Sequence, residues 1–217
     1  MNESSSDRPK IAVIDYQAGN LRSVEKALVR TGADALVTSN PSAIESCDGI
    51  VFPGQGACDS SMINLKNRSL DNLILQLIAA KKPFMGVCLG LQLLLETSEE
   101  GEEKCLGLIA GTVKRFPEGK KIPHMGWNEV NIKSDHPVLA TLPNNSHFYF
   151  VHSYYADPTD KNIIAATTKY GVEFCSAVAF QNVVAVQFHP EKSGDIGLEI
   201  YKNFVEFTKA SMGTSSQ

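Results

Sequence analysis

The amino-acid sequence predicts an α/β fold built on a mixed sheet. In the first half, apolar β-prone runs alternate with stretches whose apolar residues recur at helical spacing. That alternation is typical of a parallel sheet covered on both faces. After Glu100 the strand-like runs have few helices between them, which indicates mixed or antiparallel pairing.

The individual elements follow from these two patterns. In the first half, strands are predicted at residues 10–16, 35–38, 49–52 and 84–87, and helices at 21–31, 70–81 and 89–96. In the second half, strands are predicted at 108–113, 128–132, 146–151, 163–167, 175–179 and 183–188, and a helix at 197–209. We expect residues 1–9 to be a disordered leader, 10–209 a single domain, and 210–217 a flexible tail.

Composition excludes several classes of function. The chain has 217 residues, 43% of them hydrophobic, and a net charge of -4, which gives no basic surface for nucleic acid or anionic membrane. No apolar stretch approaches the ~20 residues of a membrane span, and the N-terminus is polar. The 5 cysteines include no C-x-x-C pair, so we expect free thiols in the cytoplasm. No metal or cofactor is expected, since metal-ligand spacing and phosphate-loop motifs are absent.

One cysteine lies in a nucleophile-elbow pattern. Cys88 follows an apolar strand-like run and precedes strong helix formers, with Gly86 and Gly90 two positions away on either side. Small flanking residues allow the strand and helix to pass closely, and the helix N-terminus favours thiolate. The alternative for Cys88 alone is a buried structural cysteine.

A candidate base and its orienting group come from a single stretch. His189 precedes Pro190, which favours an extended backbone, so a strand period of two would place Glu191 on the same side as the imidazole. His189 would then take the proton of Cys88, and Glu191 would orient the ring. Taken in isolation, these two residues would more often be ordinary surface groups.

The turn after the third predicted strand is a candidate oxyanion hole. Gly54 and Gln55 lie in this turn, and the backbone N–H of Leu89, just past the nucleophile, would supply the second donor. A phosphate-binding loop is the alternative, but the sequence has neither of the glycine-rich phosphate motifs.

Together, the stretches 86–90, 53–56 and 189–191 resemble the class I (triad) glutamine amidotransferases, over about residues 10–209. The resemblance implies a three-layer, flavodoxin-like α/β sandwich with a mixed sheet. It also implies hydrolysis of glutamine to glutamate and ammonia through a thioester on Cys88. The stretches 123–128, 149–154 and 189–193 are similar to members that pass ammonia to a separate (β/α)8-barrel cyclase subunit, so a heterodimer with such a barrel is implied.

The resemblance also implies roles for residues outside the triad. Contacts with glutamine are implied for Gln92, Glu100, Ser153 and Tyr154, and contacts with the barrel for Asn20, Trp127, Tyr149 and Lys192. The carboxylate of Glu100 suits an α-ammonium group, and the polar Gln92 lies among leucines. Gln55 departs from the family, which often has a small or apolar residue there.

Three alternatives remain open from the sequence. The chain could be a glutaminase for another synthase, such as those for anthranilate, guanylate or pyridoxal phosphate. It could be a scaffold subunit without turnover, although the intact Cys88, His189 and Glu191 speak against this. It could also be a γ-glutamyl hydrolase or cysteine peptidase, which would act without a partner.

Overall fold

The computed structural model describes residues 8–17 and 19–214. Residues 1–7 of the predicted leader and 215–217 of the predicted tail lie outside the described residues. Pro9, placed in the leader by the sequence, is buried, and its carbonyl accepts a hydrogen bond from the Asp34 amide. The ordered fold therefore includes the last residues of that segment.

The first half of the chain forms the parallel part of the sheet, as predicted. Its strands are β1 Lys10–Ile14, β2 Asp34–Thr38, β3 Gly49–Gly54 and β4 Phe84–Cys88, and they are joined by β12 Val183–Val186 from the second half of the chain. β2 pairs with β1, β1 with β3, β3 with β4, and β4 with β12, all in parallel.

The second half is mostly antiparallel, which confirms the predicted mixed sheet. Its remaining strands are β5 Thr97–Ser98, β6 Gly111–Arg115, β7 His124–Ile132, β8 Ser146–His152, β9 Tyr154–Pro158, β10 Ile164–Tyr170 and β11 Val172–Phe180. From β12 the sheet continues through β11, β10, β7 and β8, and each neighbouring pair is antiparallel. A side branch joins β11 to β9 and β9 to β6 in antiparallel pairs, and β6 to the short β5 in parallel.

Helices cover both faces of the sheet. Their bounds are α1 Leu21–Arg30, α2 Pro41–Glu45, α3 Cys58–Asn67, α4 Leu70–Ala79, α5 Leu89–Gln92 and α6 Gly194–Thr214. The sequence did not predict α2 and α3. Throughout the described part of the chain, no helix combines the length and apolar character needed to cross a membrane.

Alternate residues of the central strands enter different cores. On β1, Ala12 and Ile14 pack in one core with α3 and α4, while Ile11 and Val13 pack in the other with α1 and α6. Successive side chains of a strand point to opposite faces, and both faces are buried here, so the strand is apolar throughout. The result is the three-layer α/β arrangement expected from the sequence.

Two helices differ in length from the prediction. α5 ends at Gln92 rather than residue 96, because the carbonyls of Leu93 and Leu95 accept hydrogen bonds from the amides of Leu106 and Gly107 instead of from a further helical turn. α6 begins earlier and extends to Thr214, so residues 210–214 of the predicted flexible tail are helical.

The sheet gathers three strand ends at one edge. In parallel register, Gly54 of β3 lies beside Cys88 of β4, and Val186 of β12 lies beside Val87. The carboxyl ends of parallel strands meet on the same side of a sheet, where α/β folds place their ligand sites. The predicted nucleophile, the oxyanion turn and the segment leading to His189 therefore converge.

We expect Gly90→Ala to destabilise the protein by about 2–3 kcal/mol through steric overlap. A Cβ at this position would lie 1.9 Å from the Phe52 carbonyl oxygen, and a strand backbone cannot move aside easily. Gly213→Ala is the matched control, because its Cβ would meet open space on α6 and should change stability by less than about 1 kcal/mol. Urea unfolding measures both, and equal stability of the two variants would contradict the close strand–helix contact.

Candidate active site

Cys88 occupies a strained turn between β4 and α5. Its backbone has φ 56 and ψ -110, a combination that non-glycine residues rarely adopt. A Cβ added at Gly86 would lie 3.1 Å from the Gly90 oxygen, so the backbones of strand and helix pass within contact distance. The elbow geometry expected from the glycine spacing is confirmed. Cys88 itself is 7% exposed.

His189 and Glu191 form a buried hydrogen-bonded pair. The Nδ1 atom of His189 lies 2.8 Å from Oε1 of Glu191, and the two side chains are 2% and 1% exposed. His189 has the extended backbone predicted for a residue before proline. The predicted reason for the pairing was wrong, however: β12 ends at Val186, and a 3₁₀ turn over Pro190–Lys192 brings Glu191 beneath the ring.

Two further side chains satisfy the buried carboxylate of Glu191. The side-chain amide of Asn20 donates a hydrogen bond to Oε1, and the Tyr201 hydroxyl donates one to Oε2 at 3.4 Å. Burial first, and then the charge of Glu191, raises the pKa of Tyr201 far above its usual value, so the phenol remains a donor. Asn20 was expected at the barrel interface, but here its side chain supports the carboxylate.

The charge state of His189 depends on its two neighbours. Burial by itself lowers the pKa of the imidazole, but the Cys88 sulfur and the Glu191 carboxylate favour the charged ring and together raise its pKa to about 10. Nδ1 is engaged by Glu191, while Nε2 is buried with no hydrogen-bond partner of standard geometry among the described residues. The ring is therefore held by one nitrogen, and the other is available for proton exchange.

A cavity of about 440 Å³ opens above the sulfur. This volume suits an amino-acid-sized ligand. Among the residues that line it are most of those singled out by the sequence: Gln55, Cys88, Leu89, Gln92, Glu100, Ser153, Tyr154, His189 and Lys192. The sequence had not assigned roles to Pro123, Val151 and His152, which also line the cavity.

Gln92 belongs to a polar network at the cavity floor. Its Nε2 atom donates to the Tyr154 carbonyl at 2.8 Å and to Oε1 of Gln187 at 2.9 Å. Both amide hydrogens are therefore used within the protein. The Gln92 side-chain oxygen remains as the group that can accept a hydrogen bond from a ligand.

Glu100 and Ser153 lie at the cavity wall and are partly buried. One carboxylate oxygen of Glu100 accepts a hydrogen bond from the backbone N–H of Cys58 at 2.8 Å, which fixes the Glu100 side chain at the start of α3. The backbone carbonyl of Ser153 accepts a hydrogen bond from the backbone N–H of Phe116. The lining of the cavity thus includes a carboxylate-bearing residue and a serine.

Only some of the residues of the predicted oxyanion hole line the cavity. Gln55 and Leu89 line the cavity, but Gly54 is buried at the end of β3, where an added Cβ would lie 2.5 Å from the Tyr16 hydroxyl and 2.7 Å from the Leu89 Cβ. Gly54 is therefore needed for the close approach of β3 to α5. Gly56, with φ 110, turns the backbone directly above it.

An exposed aromatic surface borders the cavity mouth. On the β7–β8 ribbon, Met125 and Trp127 are 61% and 56% exposed, and Trp127 pairs across the ribbon with Tyr149 in a T-shaped contact of 6.3 Å between ring centroids. Lys192 is also exposed and reaches the cavity. We call Met125, Trp127, Tyr149 and Lys192 the ribbon surface.

Two buried histidines connect the ribbon to the cavity. His124 Nδ1 lies 2.9 Å from His152 Nε2, and His152 Nδ1 lies 2.7 Å from the Tyr154 carbonyl oxygen. Burial lowers the pKa of His124 to about 4 and that of His152 to about 3, so both rings are neutral. Throughout residues 8–17 and 19–214, no group of His, Cys, Asp and Glu is arranged to hold a metal ion.

We expect Cys88→Ser to lower the pKa of His189 from about 10, because a neutral hydroxyl no longer favours the imidazolium. NMR titration of the histidine side chains measures this pKa. Cys47→Ser is the control, since Cys47 is buried and donates to the Ala43 carbonyl in a different part of the fold. An unchanged pKa for His189 in Cys88→Ser would show that the sulfur does not interact with the ring.

Curated relatives match nearly the whole chain. This chain is 50% identical over 200 residues to "Imidazole glycerol phosphate synthase subunit HisH 1" of Methanococcus maripaludis, and the match covers 90% of this chain and 98% of that protein. It is 47% identical over 195 residues to "Imidazole glycerol phosphate synthase subunit HisH" of Dehalococcoides mccartyi, covering 89% and 95%.

Solved structures share the fold at much lower identity. The crystal structure of a putative GMP synthase protein from Thermoplasma acidophilum matches with a TM-score of 0.74 and 20% identity, covering 97% of this chain and 98% of that one. PurLQS from Thermotoga maritima matches with a TM-score of 0.72 and 17% identity, covering 92% and 99%. The family description "Glutamine amidotransferase class-I" matches residues 12–207. The chain therefore belongs to the class I glutamine amidotransferase family.

Proposed function

We propose that this chain is the glutaminase subunit of imidazole glycerol phosphate synthase and that it hydrolyses glutamine through a thioester on Cys88. The observation that carries the proposal is the convergence of Cys88 and His189 on one amino-acid-sized cavity, with Glu191 hydrogen-bonded to the imidazole. A nucleophile, a base and an orienting carboxylate are the groups that acyl transfer from an amide requires.

In the first half of the reaction, the sulfur attacks the side-chain amide carbon of glutamine and His189 holds the thiol proton. α5 is only a single turn long, so its dipole is weak, and the imidazolium supplies the positive charge beside the thiolate. His189 then protonates the leaving nitrogen, the C–N bond breaks, and ammonia departs. The glutamyl group remains on Cys88 as a thioester.

In the second half, His189 removes a proton from water, and the resulting hydroxide attacks the thioester. Glutamate is released as the sulfur regains its proton. The developing oxyanion is stabilised by the Leu89 N–H and by an N–H of the turn that contains Gln55 and Gly56. Losing one such donor typically costs about 3–4 kcal/mol of transition-state stabilisation.

The cavity walls suit the polar ends of glutamine. In this proposal Glu100 pairs with the α-ammonium, and Ser153 and the backbone at Tyr154 contact the rest of the amino-acid group. Gln92 accepts from the substrate through its side-chain oxygen, because its nitrogen is already bonded to Tyr154 and Gln187.

The ammonia is passed to a (β/α)8-barrel cyclase subunit, which forms imidazole glycerol phosphate and an aminoimidazole carboxamide ribotide in histidine biosynthesis. Relatives 47% and 50% identical carry the name of this synthase subunit, which supports the assignment over other amidotransferases. The ribbon surface is the proposed contact with the barrel in a heterodimer. Exposed aromatic residues and Met at the mouth of the cavity suit an interface that seals ammonia from solvent.

Cys88→Ala tests the catalytic assignment. We expect glutamine-dependent synthesis with the cyclase subunit to fall by at least about a thousandfold, because no thioester can form. Synthesis from free ammonium should continue at the wild-type rate, since the partner performs that step. Cys47→Ala, which removes a different buried thiol, should support both reactions.

Glutamine-dependent synthesis that persists in Cys88→Ala would rule out this mechanism. Turnover by the isolated chain of γ-glutamyl peptides, without any partner, would instead favour a hydrolase or peptidase.

We expect Trp127→Ala to weaken association with the barrel subunit by at least about tenfold, as is common for an exposed aromatic anchor. Titration calorimetry with the purified cyclase measures the dissociation constant. Leu36→Ala is the control, because Leu36 is 45% exposed on β2, an edge strand distant from the ribbon. If both variants bind as the wild type does, the partner docks elsewhere.

A further inference from the structure

Gln187 is a polar residue with no assigned role that lies against the candidate nucleophile. It follows β12 directly, is fully buried, and places its side-chain Nε2 atom 3.7 Å from the Cys88 sulfur. That distance lies within the range of N–H···S hydrogen bonds, which are longer than those to oxygen because sulfur is larger. A polar side chain at 0% exposure needs partners, and the sulfur is one of them.

Neighbouring groups determine which end of the Gln187 amide faces the sulfur. The Oε1 atom of Gln187 accepts a hydrogen bond from Nε2 of Gln92 at 2.9 Å. The Nε2 atom of Gln92 also donates to the Tyr154 carbonyl at 2.8 Å. The Tyr154 carbonyl can only accept, so it fixes the Gln92 amide with Nε2 toward it, and a flipped Gln187 would bring two NH₂ groups together. The donor of Gln187 must therefore be the group that points at Cys88.

The backbone on both sides of this contact is fixed by the sheet. The backbone N–H of Gln187 donates to the Ser176 carbonyl at 2.9 Å, and Val186 pairs in register with Val87, the residue before the nucleophile. Two residues after Gln187 the same segment presents His189. One segment thus brings two groups to the sulfur: the imidazole of His189, which can take its proton, and the side-chain amide of Gln187, which cannot.

An amide donor suits a thiolate in a way that a second base would not. It is neutral, so it does not compete with His189 for the proton, yet its N–H stabilises negative charge on sulfur. It also limits the directions in which the Cys88 side chain can rotate on its strained backbone. Both effects are absent if Gln187 serves only to fill space beneath the cavity.

We propose that Gln187 is a positioning residue that donates a hydrogen bond to the Cys88 sulfur and holds it as an oriented thiolate facing the glutamine cavity. This inference rests on the proposed function in that it takes Cys88 as the nucleophile. It adds a residue that acts through Cys88 and through the amide of Gln92, without contacting substrate.

The test is the pH dependence of Cys88 alkylation by iodoacetamide in Gln187→Met and Gln187→Glu, followed by peptide mass spectrometry. Methionine has nearly the length of glutamine but no donor, and glutamate keeps the shape while turning an acceptor toward the sulfur. We expect the alkylation midpoint to move upward by about one pH unit in Gln187→Met, so that alkylation below it slows about tenfold. In Gln187→Glu the upward shift should be larger, because a carboxylate opposes the thiolate.

Steady-state kinetics of the complex with the cyclase subunit give a second readout. We expect kcat for glutamine hydrolysis to fall about tenfold in Gln187→Met, with a smaller rise in KM, because Gln92 loses one of its two acceptors but keeps the Tyr154 carbonyl. Ser176→Ala is the control: it alters a buried side chain on β11 beside Gln187 but leaves the carbonyl that Gln187 uses. Its alkylation midpoint should equal that of the wild type.

An unshifted or lowered midpoint in a folded Gln187→Met variant would overturn the proposal, even if activity and thermal stability both fell. If Gln187→Met does not fold, an unshifted midpoint in Gln187→Glu has the same consequence. Alkylation is measured on the chain without turnover, so its outcome is independent of whether Cys88→Ala abolishes glutamine-dependent synthesis. The two proposals can therefore fail separately.

Discussion

The site depends on one backbone constraint, the strained positive-φ conformation of Cys88 between β4 and α5. Gly86 and Gly90 make room for this turn, because a Cβ at Gly90 would overlap the Phe52 carbonyl of the neighbouring strand and a Cβ at Gly86 would lie 2.8 Å from the Ala185 Cβ. The parallel sheet holds β3, β4 and β12 in register, which fixes where the strained residue emerges. The strain is thus maintained by packing on both sides of the turn.

The electrostatics of the site follow from its burial. His189 is held in its charged form by Cys88 on one side and Glu191 on the other, and Glu191 is in turn bonded by Asn20 and Tyr201. The nearby rings of His124 and His152 are kept neutral by burial, so they do not place a second positive charge beside His189. The cationic charge beside the sulfur therefore belongs to the residue that is also positioned to exchange a proton with it.

Much of the fold could be predicted because its signals are local. The parallel strands are continuous apolar runs, and the glycines around Cys88 mark a turn that few other sequences permit. The lengths of α5 and α6 could not be predicted, since α5 ends where backbone groups from residues 105–109 replace its own helical bonds. The His189–Glu191 pair was predicted from a strand period, but a 3₁₀ turn produces it. Gln187 was missed, although a polar residue within an apolar run was the available signal.

In the proposed mechanism Cys88 carries the glutamyl group during turnover, and direct detection of that adduct tests the mechanism. Rapid acid quenching of the working complex with glutamine, followed by peptide mass spectrometry, would locate any thioester. We expect a glutamyl adduct on the peptide that contains Cys88 and on no other cysteine. Steady glutamine turnover with no adduct on Cys88, or with the adduct on Cys58 or another cysteine, would contradict it.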